Sequence, residues 1–257
     1  TCFPGGKHKV LTMSYDDGKH EDRRLVALFN QYGIKGTFNV NSGLEGDPVR
    51  IPQAEYRELY KGHEVACHTV SHPTIGRCPL ELVIEDRKKL ESIMGYPVRG
   101  LAYPNGSESP EIRAMLPALG IRYGRVVGNT DGFAMPEDFL QWKATCHHNH
   151  NLLELGQQFV DLHKKQYLYM MYVWGHSYEF TNNNNWEVME DFCKLVGGKD
   201  DIWYATNIQI VDYMDVVKAA QYAADGSFVY NPCAQSLWLC VDDEKFVEVK
   251  GGQQVQL

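Results

Sequence analysis

Short apolar runs alternate with helix-period segments along most of the chain, and this alternation restricts the fold more than any other feature. Residues 10–15, 37–40, 64–67, 100–103, 121–127, 139–145, 167–174 and 202–205 read as strands. Between them, Leu25, Val26, Leu28, Phe29 and Tyr32 keep helical spacing. Residues 52–59, 80–94, 110–119, 152–164, 186–195 and 208–223 read as further helices, several of them closed by a glycine such as Gly33, Gly95 or Gly120. Strands and helices at this rhythm are βα units, which build a parallel sheet. Seven to eight units predict an α/β chain closed into a (β/α) barrel. An open doubly wound sheet is the alternative, but no Gly-x-Gly-x-x-Gly follows the first strand to support it. After residue 225 the pattern changes to short apolar runs at 228–230, 237–241 and 246–249. The expected organisation is a barrel over residues 1–224 with a small antiparallel extension over residues 225–257.

Bulk properties exclude some functions. With 257 residues the chain can bury a sizeable core. Its net charge of -8 and lack of a long basic run argue against nucleic acid or an anionic membrane as partner. No run of eighteen apolar residues is present, so no membrane span is expected. The seven cysteines (Cys2, Cys67, Cys78, Cys146, Cys193, Cys233 and Cys240) are odd in number, irregularly spaced and without a Cys-x-x-Cys pair. They read as free thiols of a reducing compartment. With no signal peptide visible, the expected location is cytoplasmic, with secretion left open.

Four polar clusters fall where predicted strands end: Ser14-Tyr15-Asp16-Asp17-Gly18, His68-Thr69-Val70-Ser71-His72, Tyr103-Pro104-Asn105-Gly106 and Gly175-His176. Each alone reads as a turn or a surface segment. In a parallel barrel, however, the C-terminal strand ends share one face, and that face carries the chemistry. Two histidines at i and i+4 with one carboxylate make a facial metal set that leaves positions for water. Neighbouring aspartates diverge, so one can bind the metal while the other accepts a proton. His176 could protonate a leaving group. Trp142, His147 and His148, before the sixth loop, could line a groove together with Tyr103 and Trp174, and Tyr178 and Glu179 could touch a bound substrate. Packed aromatic rings and solvated histidines are the equally good alternative.

These segments resemble the NodB-homology polysaccharide deacetylases, carbohydrate esterase family four. Ser14 to Gly18 is similar to the family's Thr/Ser-x-Asp-Asp-Gly motif, His68 to His72 to its His-Ser/Thr-x-x-His motif, and Gly62-His63-Glu64 to its lead-in. The resemblance spans about residues 8–220. It implies a distorted (β/α) barrel, a divalent metal (usually zinc) and hydrolysis of N- or O-acetyl groups on a carbohydrate. It further implies Asp17, His68 and His72 as metal ligands, Asp16 as general base and His176 as general acid, with the Asn105 backbone N–H stabilising the oxyanion. Hydrolysis of a cyclic amide or ureide, or glycan binding with weakened catalysis, are the rival functions. One position departs from the family: Ala102 stands where an arginine normally pairs with the base. Arg125, in the neighbouring predicted strand, is the candidate to supply that guanidinium from elsewhere. It reads equally well as the ion-pair partner of Asp131 or Glu137.

Overall fold

The structure is a computed structural model that describes residues 1–74, 80–242 and 245–257. Cys78 and Asp243 lie outside the described residues. Strands β1 (Lys9–Asp16), β2 (Gly36–Val40), β3 (Glu64–Cys67), β4 (Gly100–Ala102), β5 (Tyr123–Asn129), β6 (Trp142–Ala144), β7 (Cys146–His147), β8 (Tyr169–Gly175) and β9 (Ile202–Tyr204) form one parallel sheet. Its order is β6-β5-β4-β3-β2-β1-β8-β7, with β9 on β1. The segment that contains β6 and β7 closes the ring. Its first half pairs with β5 and its second half with β8, and Thr145 between them donates its N–H to the Tyr172 carbonyl at 2.8 Å. The result is a (β/α) barrel, as the alternation predicted.

Outside the ring lie the helices α1 (Asp22–Gln31), α2 (Tyr56–Leu59), α3 (Glu81–Met94), α4 (Pro110–Met115), α5 (Leu152–Val160), α6 (Tyr178–Asn182), α7 (Trp186–Val196) and α8 (Asn207–Ala219). Local signals set their ends. Gly95 takes the left-handed conformation (φ 78°) and closes α3. Ser109 caps α4, with Pro110 at its first position. Thr206 and Gln209 form a capping box on α8. Two helices are shorter than their apolar periodicity implied. Helix α5 stops at Val160, and α8 stops at Ala219 because β10 (Gln221–Tyr222) then pairs antiparallel with β11 (Phe228–Tyr230). The remaining strands, β12 (Leu237–Val241), β13 (Lys245–Val249) and β14 (Gln254–Gln256), are also antiparallel: β12 pairs with β13, and β14 with β11.

Strand β1 is buried at every residue, so both of its faces are covered. Leu11, Met13 and Tyr15 pack outward into the main core with Phe29, Phe38 and Phe180. Alternation places Thr12, Ser14 and Asp16 on the opposite, inward face. The lower interior is closed by α8. Asn207 is fully buried there, accepts from Thr12 Oγ1 at 2.8 Å and donates to Tyr172 Oη at 2.7 Å.

The Gly62-His63-Glu64 lead-in builds structure. His63 Nδ1 accepts the Gly36 N–H at 3.0 Å, so Nε2 carries the proton and donates to Asn30 Oδ1 at 2.9 Å. Glu64 accepts from Thr37, Tyr123 and the Ile208 N–H. Burial pushes His63 down to about 4, whereas an unfolded histidine titrates near ~6.5. Between those values the unfolded chain binds the additional proton, so the His63 contribution is full above pH ~6.5 and is lost as pH falls to about 4. Buried Glu64, raised to about 7, pulls the other way, so the comparison needs a variant. The stability lost in His63→Gln, measured by urea unfolding, is predicted to grow from pH 4 to pH 6.5, reaching about 1–3 kcal/mol. A difference independent of pH would refute a neutral, doubly bonded His63.

Candidate active site and metal centre

The four predicted clusters do converge at the C-terminal end of the barrel. Asp16, the last residue of β1, points inward and is 2% exposed. One carboxylate oxygen takes a hydrogen bond from Asn39 Nδ2 at 2.9 Å, and the other is paired with the buried guanidinium of Arg125. Arg125 is the register partner of Ala102 on the adjacent strand. The missing arginine is thus matched by one that reaches the same space from the next strand. The competing assignment to Asp131 or Glu137 fails, since Arg125 is 1% exposed and its guanidinium is paired with Asp16. The other two arginines near β4 and β5 lie elsewhere: Arg99 pairs with Asp212 and Arg122 with Asp215, both on α8.

Burial would raise the Asp16 carboxyl, but Arg125, then His68 and His176, hold it well below the usual carboxylate range. The Trp174 ring covers the guanidinium at 4.4 Å.

Asp17 lies one residue beyond β1, and the chain turns there. Its φ is 81°, and its N–H bonds back to the Asn39 carbonyl at 2.9 Å. The two aspartates therefore diverge, Asp16 into the barrel and Asp17 toward the histidines. His68 follows β3 on the inward face and is 1% exposed. Its Nδ1 bonds the Ala102 carbonyl at 2.8 Å, and its N–H is held by Asp86 Oδ2 at 3.0 Å. This fixes the ring and leaves Nε2 buried with no hydrogen-bond partner. That atom lies 3.9 Å from Asp17 Oδ1, and the His68 and His72 rings meet edge to face at 4.6 Å. Ligand atoms of Asp17, His68 and His72 all fall within 4.8 Å of one another. A buried nitrogen without a partner, anchored through its other nitrogen and beside a carboxylate and a second imidazole, fits a divalent cation.

His176 lies half-buried beside this set, with Nε2 4.0 Å from Asp16 Oδ2. Its Nδ1 is 3.4 Å from Glu179 Oε1, an ion-pair distance whose angle falls short of a hydrogen bond. Glu179 Oε2 also faces His147 Nε2 at 3.1 Å and His148 Nε2 at 2.8 Å. Three histidines thus share one carboxylate. Burial keeps His148 low. For His176 burial acts the same way, but Glu179 and then Asp16 outweigh it and the pKa is raised.

Several groove expectations are corrected. Trp142 is fully buried in the core against Tyr123, Phe139 and Tyr172. Tyr103 is 1% exposed, and its hydroxyl bonds the Leu140 carbonyl at 2.6 Å. His148 stacks on Tyr15 and Phe180 inside the protein. All three side chains are buried. Trp174 is largely covered by Arg125, and His147, half-buried, packs edge-on against Trp174. Asn105 is exposed with φ 57°, and its side chain reaches Thr74 Oγ1 at 3.1 Å. Gly175 in the unusual Trp-Gly-His segment has a steric reason, since a Cβ there would come within 2.1 Å of His148 Nδ1. Sequence reasoning missed Asn39, Asp86 and Arg50. Arg50 holds the Asp17 carbonyl and, at 3.0 Å, Asn41 Oδ1. Asp86 had a signal: it falls in the buried stripe of α3 with Val83 and Leu90, where an acid needs partners.

Residues 4–124 match the family model described as polysaccharide deacetylase. A chitin deacetylase of Arthroderma benhamiae is 27% identical over 92 residues, which cover 35% of this chain and 25% of that protein. The chain thus spans about a quarter of the length of this curated relative. Among solved structures, a protein of Mycobacterium smegmatis assigned as a polysaccharide deacetylase superposes with a TM-score of 0.62 at 15% identity, over 85% of this chain and 94% of that one. A PuuE allantoinase superposes with a TM-score of 0.61 at 12% identity, over 82% and 91%. At these identities the likeness is one of fold. The recognition made from the motifs, of the polysaccharide deacetylase family, is borne out by these matches, and the matched segment carries both motifs.

The ion pair predicts a stability pattern. Arg125→Met is expected to destabilise the chain by about 3–5 kcal/mol, because it leaves the Asp16 charge buried and unpaired. Adding Asp16→Asn should recover most of that loss in chemical denaturation. A double variant no more stable than Arg125→Met would show that the pair is not what holds this region.

Proposed function

We propose that the chain is a metal-dependent hydrolase that removes N- or O-linked acetyl groups from a carbohydrate. The observation that carries this reading is the fixed, ionised Asp16 set beside the Asp17, His68 and His72 group. A pure binding site has no use for a buried carboxylate that is held charged at the cost of a second buried charge. Asp17, His68 and His72 would hold the cation, and zinc suits their two-imidazole, one-carboxylate donor set. When bound, such an ion supplies a Lewis acid to the acyl oxygen and to water.

The chain's own residues divide the remaining work. Asp16 takes a proton from the attacking water. Arg125 and Asn39 keep its carboxylate oriented so that the accepting oxygen stays in place. His176, on the same face, gives a proton to the departing sugar nitrogen or oxygen, a poor leaving group without it. Glu179 faces His176 Nδ1, which favours the proton-bearing ring and leaves Nε2 toward the site. The Asn105 N–H is the proposed donor to the developing oxyanion.

Acetate release from a panel of acetylated oligosaccharides is the direct test. Asp16→Asn should retain bound metal by elemental analysis and lose about 10²–10⁴-fold in turnover. The His68→Ala, His72→Ala pair should lose the metal itself. Near-normal acetate release by metal-loaded Asp16→Asn would assign the base elsewhere. The fold likeness to an allantoinase favours cyclic ureides as the second substrate class to try. A ring-opened acid in place of acetate would support that reading and displace deacetylation.

The pH profile tests the acid. His176 has a raised pKa, so its acid form is populated below that value and activity is lost as pH rises through it. Removing Glu179 removes the largest of the attractions that hold the proton. Glu179→Gln is therefore expected to shift the basic limb of kcat/KM to lower pH and leave the acidic limb in place. An unshifted basic limb would separate Glu179 from proton donation.

A further inference from the structure

At the opposite end of the barrel, three donors from two separate segments meet. His8 immediately precedes β1, whose far end carries Asp16 and Asp17, so this cluster is distinct from the candidate active site. Cys2 is fully buried, and its N–H bonds the Trp238 carbonyl at 2.9 Å. That bridge ties the N-terminal segment to β12. Cys240 lies two residues beyond Trp238 on the same strand and so presents its side chain on the same face. Its thiol is within hydrogen-bonding reach of Cys2. Cys2 Sγ is 3.5 Å from His8 Nε2, and the other ring nitrogen of His8 faces the Tyr167 carbonyl at 3.3 Å. Ligand atoms of Cys2, His8 and Cys240 all lie within 4.8 Å of one another.

Two thiols and an imidazole are a soft donor set, unlike the carboxylate and imidazoles of the active-site group. Tetrahedral metal–sulfur bonds of about 2.3 Å and metal–nitrogen bonds of about 2.0 Å place ligand atoms roughly 3.5 Å apart, which is the Cys2–His8 spacing. A carbonyl on the far nitrogen of a histidine is the usual way such a ligand is oriented. Cys240 is only half-buried, so the cluster is open to solvent on that side.

We propose that Cys2, His8 and Cys240 bind a thiophilic divalent cation of the zinc type, which fastens the C-terminal strands to the start of the barrel. The site is independent of the catalytic reading, and its test does not use activity.

The full chain, purified under reducing conditions and stripped of metal, is reloaded with cobalt(II). Thiolate ligation gives a near-ultraviolet charge-transfer band that the carboxylate and imidazole set cannot produce. The band is expected in the parent chain and in the His68→Ala, His72→Ala variant. It should be lost, with one equivalent of cobalt, in Cys240→Ser and in His8→Asn, two changes at half-buried positions. Zinc should raise the melting temperature of the His68→Ala, His72→Ala variant, and should fail to do so once Cys240→Ser is added. Absence of the band from the folded parent, or its survival in Cys240→Ser, would overturn the proposal. So would a mass two hydrogens below that of the fully reduced chain, traced to a Cys2–Cys240 disulfide.

Discussion

The buried pair between Asp16 and Arg125 is the interaction on which the arrangement of the site depends. Both side chains are almost completely withdrawn from water. Taking two charges out of solvent costs several kcal/mol for each, and their attraction repays this only when the remaining polar atoms are also satisfied. The structure meets part of that condition. Asn39 donates to the free oxygen of Asp16, and the Trp174 ring covers the guanidinium face. One polar atom, Arg125 Nε, is buried without a partner. Apolar pairs of the same volume often hold a protein interior as well as a buried ion pair does, or better. The charge pair therefore makes sense as a functional device, which keeps a carboxylate ionised and aimed in a place where burial alone would neutralise it.

Below the pair, the barrel interior is polar in an ordered way. Glu64 links Thr37, Tyr123 and the N-terminus of α8. Asn207 links Thr12 and Tyr172, and the Tyr172 hydroxyl reaches Ser14. These groups occupy the inward positions of β1, β2, β3, β5 and β8, with one helix end among them. A buried network of this kind is costly when half satisfied and rigid when complete. It brings the support for Asp16 up from the floor of the barrel, so the proposed base does not rely on surface loops for its orientation.

Much of the fold was legible because a parallel barrel is written in a simple code. Apolar runs of strand length at βα spacing fix the order of the elements, and the strand ends then predict which clusters meet. The parity of each strand was also readable. Ser14 and Asp16 share a face, as do Thr37 and Asn39, each pair set in an otherwise apolar run. What one chain cannot display is the register between neighbouring strands. Arg125 could be put forward as the substitute for the missing arginine, but only the pairing of Ala102 with Arg125 distinguishes it from a surface ion pair. The burial of two expected groove residues was hidden for a related reason. Trp142 and His148 precede the sixth loop, yet the closing of the ring by β6 and β7 packs Trp142 against Tyr123 and Tyr172 and leaves His148 buried against Tyr15 and Phe180. The contraction of α8 was hidden because its apolar periodicity continues into residues that the tail strands recruit.

The backbone itself separates the roles of the two adjacent aspartates. Asp16 is the final residue of β1, still in register with Asn39, and strand geometry sends its side chain inward to Arg125. Asp17 is already left-handed at φ 81°, a conformation that costs a non-glycine residue about 1–3 kcal/mol unless its surroundings impose it. Arg50 grips its carbonyl, the Asn39 carbonyl holds its N–H, and the following Gly18 continues the positive-φ turn at 60°. Thr69 and His72 share the strain, each at φ 62°. Strain gathered at this rim, with none inside β1, indicates that the turn is shaped to present side chains and not to pack them. In the proposed site this makes Asp17 and His72 the ligands delivered by strained turns and His68 the one delivered by a regular strand. Asp16, one residue short of the turn, is kept from the cation because the strand has already committed it to the guanidinium.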